Sequence, residues 1–220
     1  MLLSVEGITK EYLRAGRLFK ALDDVSLSAG KGEFIGISGP SGSGKSTLFH
    51  VIAGLVRPTS GQVRLLGREL GTLSPDQLAA LRRSGVGYVL QGQNLLQNFT
   101  LLENLSIAAL LGAEIKNARS RALQLLDMLG LGGMEDEYPS SLSGGEQRRV
   151  AIARGFIHSP ELVLADEPTS DLDRENGRLI MEFFRKTADE GTTILMTTHD
   201  QSFLSFTSKQ YRMDQGRLTH

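Results

Sequence analysis

Residues 39–47 read Gly-Pro-Ser-Gly-Ser-Gly-Lys-Ser-Thr and follow directly on the apolar run Phe34-Ile35-Gly36-Ile37. From Gly39 to Ser46 the spacing is G-x-x-x-x-G-K-S, that of a phosphate-binding loop joining a buried strand to a helix. Gly42 and Gly44 let the chain curl so that successive backbone N–H groups face one concavity. A helix starting near Lys45 adds the positive end of its dipole. Lys45 offers a point charge to the outer phosphates, and the Ser46 hydroxyl offers a ligand to Mg²⁺. An ordinary Gly/Ser turn has no need of Lys-Ser at that offset. The candidate phosphate contacts are Gly39, Ser41, Gly42, Ser43, Gly44, Lys45, Ser46 and Thr47.

The pattern around the loop predicts strands over 2–8, 18–27 and 34–38, then a helix over 46–55 and a strand over 61–66. Ser74-Pro75-Asp76-Gln77 is a helix start, with Pro at the first helical position and Gln three residues after Ser. A strand over 86–90 follows. Residues 100–133 change character. Thr100-Leu101-Leu102-Glu103 is a second capping box, and Leu101, Leu105, Ala108 and Leu111 recur at helical spacing. Ala122, Leu125, Leu126 and Leu129 repeat that stripe until Gly130, Gly132 and Gly133 end it. Alternation then resumes with helix 145–158, strand 162–165, helix 174–189, strand 193–197 and a terminal ribbon near 211–218. Strands alternating with helices imply a mostly parallel sheet covered on both faces, here with an all-helical insert.

The chain's 220 residues suit one α/β domain carrying a subdomain, and 40% apolar residues allow a large core. A net charge of −1 argues against a nucleic-acid-coating surface. The absence of cysteine excludes disulfides and thiolate-bound metal. The start, Met1-Leu2-Leu3-Ser4-Val5-Glu6, has no basic-then-apolar leader pattern. The longest apolar stretch, Ile107 to Ala113, is too short to span a bilayer, which takes about 20 residues. Any membrane association is therefore expected through a partner or a surface contact.

Two further segments complete a nucleotide site. Leu162-Val163-Leu164-Ala165-Asp166-Glu167 is a buried strand ending in two acids. Strand ends of this kind lie beside the phosphate loop. Asp166 is expected to hold Mg²⁺, directly or through its water, and Glu167 to polarise the attacking water. Leu142-Ser143-Gly144-Gly145-Glu146-Gln147 is a third capping box with two glycines in the first helical turn. Each costs about 1 kcal/mol of helix propensity relative to Ala. A helix N-terminus bearing Ser143, Gly144 and Gly145 is a second anion site. One nucleotide does not need two γ-phosphate cradles in one chain, so the economical reading is a dimer in which each segment closes the other chain's ATP.

With these residues in place the chain resembles the ATP-binding subunit of ABC (ATP-binding cassette) transporters over nearly its whole length. The ordered motifs are Gly39–Thr47 (Walker A), Gln91 (Q-loop), Leu142–Gln147 (signature), Leu162–Glu167 (Walker B), Ser170-Asp171-Leu172-Asp173 (D-loop) and His199 (H-loop). The resemblance implies a P-loop NTPase fold of ABC type: a RecA-like parallel core, an antiparallel β-subdomain and an inserted helical subdomain. It implies a single domain over 1–220. Residues 1–90 and 160–220 would form the core with the β-subdomain, and 91–158 the helical subdomain. It implies ATP and Mg²⁺ as ligands, with Ser46, Gln91 and Asp166 at the metal. Tyr12 would stack on adenine, the alternative being a half-buried strand-end tyrosine. Lys45, Gln91, Glu167 and His199 would serve hydrolysis, and Asp171 and Asp173 would reach across a homodimer. Arg148 and Arg149 are read as solvated or paired within the chain. His50, His158 and His220 are read as structural.

Ala165-Asp166-Glu167-Pro168-Thr169, Gly144 to Arg154, and Gln91 followed by Asn94-Leu95-Leu96 resemble the MacB/LolD/FtsE group most. Gly92-Gln93 and Ser170-Asp171 depart from that group's usual bulkier and Gly-Asn residues. The first departure lies where a membrane partner would dock, leaving partner and cargo open. The resemblance implies an integral-membrane permease partner, a peripheral place on the cytoplasmic membrane face and no nucleic-acid ligand. The output would be export, lipoprotein extraction or peptide and drug efflux. The alternative is FtsE-like transmission of force to a cell-envelope enzyme without cargo. A soluble ATPase of DNA repair or translation fits less well, lacking a coiled-coil insertion or second cassette.

Overall fold

The computed structural model describes residues 1–14, 16–92, 94–111 and 117–219. Gln93, Gly112, Ala113 and His220 lie outside them, as do the side chains of Ala108 and Leu111 in the predicted leucine stripe. Strands β1 (Leu3–Arg14), β2 (Arg17–Ala29) and β3 (Phe34–Ser38) are followed by helix α1 (Lys45–Ile52). Next come β4 (Ser60–Leu65), β5 (Arg68–Glu69), α2 (Pro75–Gly85) and β6 (Val86–Val89). Helices α3 (Leu101–Leu111), α4 (Ala118–Met128) and α5 (Gly144–Phe156) form the helical stretch. The chain then runs through β7 (Leu162–Ala165), α6 (Arg174–Asp189), β8 (Thr193–Thr198), β9 (Lys209–Asp214) and β10 (Arg217–Thr219).

Two sheets form among the described residues. One is antiparallel, in the order β2-β1-β4-β5. The other has the order β10-β9-β3-β8-β7-β6, with β9, β3, β8, β7 and β6 all parallel and β10 an antiparallel edge. The central parallel strands β3, β7 and β8 are buried on both faces, as a doubly covered sheet requires, whereas β9 alternates buried and exposed residues. Phe34, Val163, Ala165, Ile194 and Met196 pack toward α3, α4, α5 and α6. The alternate residues Ile35, Ile37, Leu162, Leu164 and Leu195 pack toward α1, α2 and the antiparallel sheet. This is the α/β P-loop architecture with a β-sheet extension and a helical insert expected from the sequence.

Local chemistry sets the element ends. Ser74 and Ser143 each form the complete capping box, with the third helical residue reaching back to the cap N–H. Thr100 and Glu103 exchange the same pair of bonds at the start of α3. Helix α1 stops short of the predicted residue 55 because Gly54 takes a left-handed conformation at φ +63°. Strand β1 runs well past the predicted Ile8. Its pairing with β2 continues through register shifts to Arg14↔Arg17, so a long hairpin stands where the sequence alternation had already broken down. Buried Asn104 binds the backbone of Leu96, Phe99 and Thr100, tying the segment before α3 to the helical layer.

Phe184 is fully buried, with ring contacts to Phe34 of the sheet at 6.0 Å and to Phe156 of α5 at 5.6 Å. Phe184→Ala should therefore lose about 3–5 kcal/mol of stability, read by urea titration of the full chain. A change below about 1 kcal/mol would mean that the helical and strand layers do not pack through this ring.

Candidate functional site

Parallel pairing brings the carboxyl ends of β3, β8, β7 and β6 to one edge of the sheet. Each end delivers one part of a cavity of about 420 Å³. The loop after β3, with the first turn of α1, contributes Ser41, Gly42, Gly44, Lys45, Ser46 and Thr47. Gln91 enters just beyond β6, Glu167 beyond β7 and His199 beyond β8. Crevices at the carboxyl ends of parallel strands are where such folds hold ligands.

The loop is shaped for an anion. Gly44 sits at φ +112°, and a Cβ there would come within 2.4 Å of the Ala21 carbonyl oxygen. A side chain at Gly39 would strike the Met213 carbonyl at 2.1 Å. Glycine alone allows this path. The Ser43 hydroxyl is buried without a hydrogen-bond partner among the described residues. Lys45 is only 5% exposed, and its Nζ donates to the carbonyls of Gly39 at 2.8 Å and Pro40 at 3.0 Å. The curled backbone, the dipole of α1 and a held ammonium together fit a polyphosphate.

Glu167 stands between two cationic or protonatable groups. Its Oε1 lies 3.6 Å from Lys45 Nζ and its Oε2 lies 3.2 Å from His199 Nδ1. Its backbone is left-handed at φ +46°, which is strained for a residue other than glycine. Asp166 turns elsewhere and is buried. One of its carboxylate oxygens accepts a 2.6 Å bond from the Thr197 hydroxyl, which in turn accepts the Glu167 N–H at 2.9 Å. Thr197 thus fixes both acids. Its function was not legible in the sequence, because it depends on the β7–β8 register.

The residues present also fit a magnesium ion that is completed by substrate. Ser46 and Gln91 line the cavity with neutral oxygens, and the Asp166 carboxylate lies buried outside that lining, next to Glu167 in the chain. Among the described residues no group of three or more His, Asp or Glu forms a metal cage. Mg²⁺ in phosphoryl-transfer sites characteristically takes one or two protein oxygens and leaves the rest to phosphates and water.

Other sequence candidates lie apart from this cavity. Tyr12 is 39% exposed on the β1–β2 hairpin, with Lys10 Nζ 5.0 Å from its ring centre. Its cross-strand partner is Phe19, and directly opposed residues share a sheet face. Phe19, with Ala21, lines the cavity, so the hairpin presents an aromatic the sequence did not single out. Asp171, at φ +61°, borders a neighbouring cavity shared with Thr169, Arg174 and His199. Ser143, Gly144 and Gly145 line neither. The Ser143 hydroxyl donates to Glu146 Oε2 at 2.7 Å, and these bonds hold the Glu146 pKa below the usual carboxylate value. Arg148 and Arg149 are buried rather than solvated, and both pair within the chain. Arg149 binds Asn176, and Arg148 binds only backbone carbonyls.

Comparison with known proteins agrees with this geometry. The sequence pattern of the family described as "ABC transporter" matches residues 22–170. The "Macrolide export ATP-binding/permease protein MacB" of Chlorobaculum tepidum is 40% identical over 215 residues, covering 98% of this chain and 33% of that protein. The "Probable syringafactin export ATP-binding/permease protein SyfD" of Pseudomonas syringae pv. syringae is 38% identical over 218 residues, covering 99% of this chain and 33% of that protein. The chain thus spans about a third of the length of these curated relatives. The dimeric structure of a post-hydrolysis state of the ATP-binding cassette MJ0796, bound to ADP and Pi, superposes with a TM-score of 0.92 at 35% identity, covering 100% of this chain and 97% of that one. The chain belongs to the ABC transporter family, and it is an ATP-binding cassette ATPase.

Proposed function

We propose that two copies of this chain close head to tail around two ATP molecules and that this cycle drives an export permease of the MacB type. The observation that carries the reading is the separation within one chain. The phosphate loop, Gln91, Glu167 and His199 share one cavity, whereas the glycine-bearing start of α5 stands outside it. A sister chain turned by a two-fold axis can bring its own Ser143, Gly144 and Gly145 over that cavity. The comparison structure is described as dimeric and bound to ADP and Pi, which supports the reading that this chain also works as a dimer. Among the described residues no helix is long and apolar enough to cross a membrane. The names of the relatives, ATP-binding/permease proteins, support a reading in which force passes to an integral-membrane permease, with the cassette on the cytoplasmic face.

The residue assignments follow from charge and geometry. Lys45 leaves its two carbonyl partners in part to bind the outer phosphates, assisted by the amides of Gly39 to Thr47. Ser46, Gln91 and Asp166 would hold Mg²⁺, which neutralises phosphate charge and so lowers the cost of closure. Glu167, released from Lys45, orients and deprotonates the attacking water, with His199 steadying its carboxylate. Tyr12 and Phe19 flank the adenine and ribose end. Asp171 faces the partner cassette. Hydrolysis then replaces one bridging triphosphate by two separate anions, and charge repulsion reopens the pair.

Glu167→Gln should bind ATP, accumulate as a dimer in sedimentation velocity and hydrolyse about 10²–10⁴-fold more slowly. Turnover at the unmodified rate would remove Glu167 from the mechanism. Lys45→Ala should instead weaken ATP affinity by about 10- to 100-fold, read by equilibrium binding; unchanged affinity would contradict its assignment. Thr197→Val keeps the shape but removes the hydroxyl shared by Asp166 and Glu167. Its turnover number should fall about tenfold or more with ATP affinity little changed, and equal turnover would show that the threonine does not fix the acids.

A further inference from the structure

Arg148 lies in α5, one turn beyond the glycines that open it. Its side chain is 2% exposed, and no carboxylate lies within ion-pairing distance of it among the described residues. Its donors go instead to five backbone carbonyls on two loops. Nε binds the Pro168 oxygen at 2.9 Å. Nη2 binds those of Glu167 at 3.0 Å and Asp166 at 3.4 Å. Nη1 binds the Leu90 oxygen at 2.6 Å and also that of Gly92.

These carbonyls are not a random set. Leu90 and Gly92 flank Gln91, and residues 166–168 contain and flank Glu167. The Glu167 carbonyl also accepts from the Ser170 N–H at 3.2 Å and the Ser170 hydroxyl at 3.0 Å, so the left-handed peptide is anchored from two sides. Burying a guanidinium without a directly paired carboxylate costs stability, offset here by the carbonyls it binds and by the more distant charges of Asp166 and Asp171. The arrangement makes sense if it positions something. Burial lowers its pKa only to about 10, so the guanidinium stays charged at neutral pH.

We infer that Arg148 is a positioning residue for hydrolysis, a single guanidinium that fixes Gln91 and Glu167 relative to each other and to the start of α5. The inference rests on the ATPase reading above. It follows from geometry that lysine cannot substitute, because one compact ammonium cannot span five carbonyls on two loops.

The test uses Arg148→Lys and Arg148→Gly in the full chain, with kcat, KM for ATP, equilibrium ATP affinity and amide exchange measured together. Arg148→Lys should lower kcat about tenfold or more while KM and ATP affinity change less than about threefold. Amide exchange should quicken in residues 90–94 and 166–170 together. Added methylguanidinium should restore kcat to Arg148→Gly without altering KM. An unchanged kcat in Arg148→Lys would overturn the inference. So would slowed turnover without faster exchange in both segments, or parallel losses of kcat, affinity and fold that methylguanidinium does not repair. The unmodified chain separates the two failures: if it hydrolyses ATP, only the assignment to Arg148 falls, and if it does not, the ATPase reading falls with it.

Discussion

The parallel register of β3, β8 and β7 is the constraint from which the site follows. Ser38 lies opposite Thr198, and Ala165 lies opposite Met196, so β3 and β8 leave the sheet at the same level and β7 within two residues of it. The phosphate loop, the two acids and His199 are therefore neighbours without any of them being close in sequence. Thr197 shows how fine the constraint is. Its hydroxyl reaches Asp166 on one side and the Glu167 amide on the other only because β8 and β7 are in that register. A slip of one residue would turn every side chain to the opposite face and remove the site with the core.

A second consequence concerns charge. Lys45 lies near Glu167, and the Ser143 hydroxyl donates to Glu146. Both groups proposed to meet phosphate are thus already paired with a carboxylate of their own chain. Such pairs keep a buried ammonium and a helix N-terminus from being left unsatisfied. They also mean that phosphate has to compete for each of them. On this account closure is an exchange of partners, and release of Glu167 from Lys45 accompanies arrival of the substrate charge.

Much of this was legible in the sequence, for identifiable reasons. The loop at 39–47, the acids after β7 and the capping boxes at Ser74, Thr100 and Ser143 are short-range patterns whose chemistry is complete within a few residues. The strands 34–38 and 162–165 and the helix 174–189 were read with their observed boundaries because they are bounded by turn and cap residues. What escaped depends on distant pairing. Phe19 faces the cavity through the hairpin register with Tyr12, which runs across shifts that blur alternation. The work of Thr197 depends on a neighbouring strand. Arg148 reads as one more charge on a helix, and its burial follows from packing of α5 against the loops after β6 and β7.

The central claim is that the start of α5 completes the ATP site of the other chain. It is tested most directly by mixing two disabled chains. Glu167→Gln removes the base, and Ser143→Asp keeps a good helix cap while placing a carboxylate where phosphate must approach. Each alone should hydrolyse ATP very slowly. Sites closed in trans predict that mixing restores hydrolysis, because a mixed dimer contains one cavity with Glu167 facing an intact Ser143. Mixtures no more active than the separate chains would contradict the account.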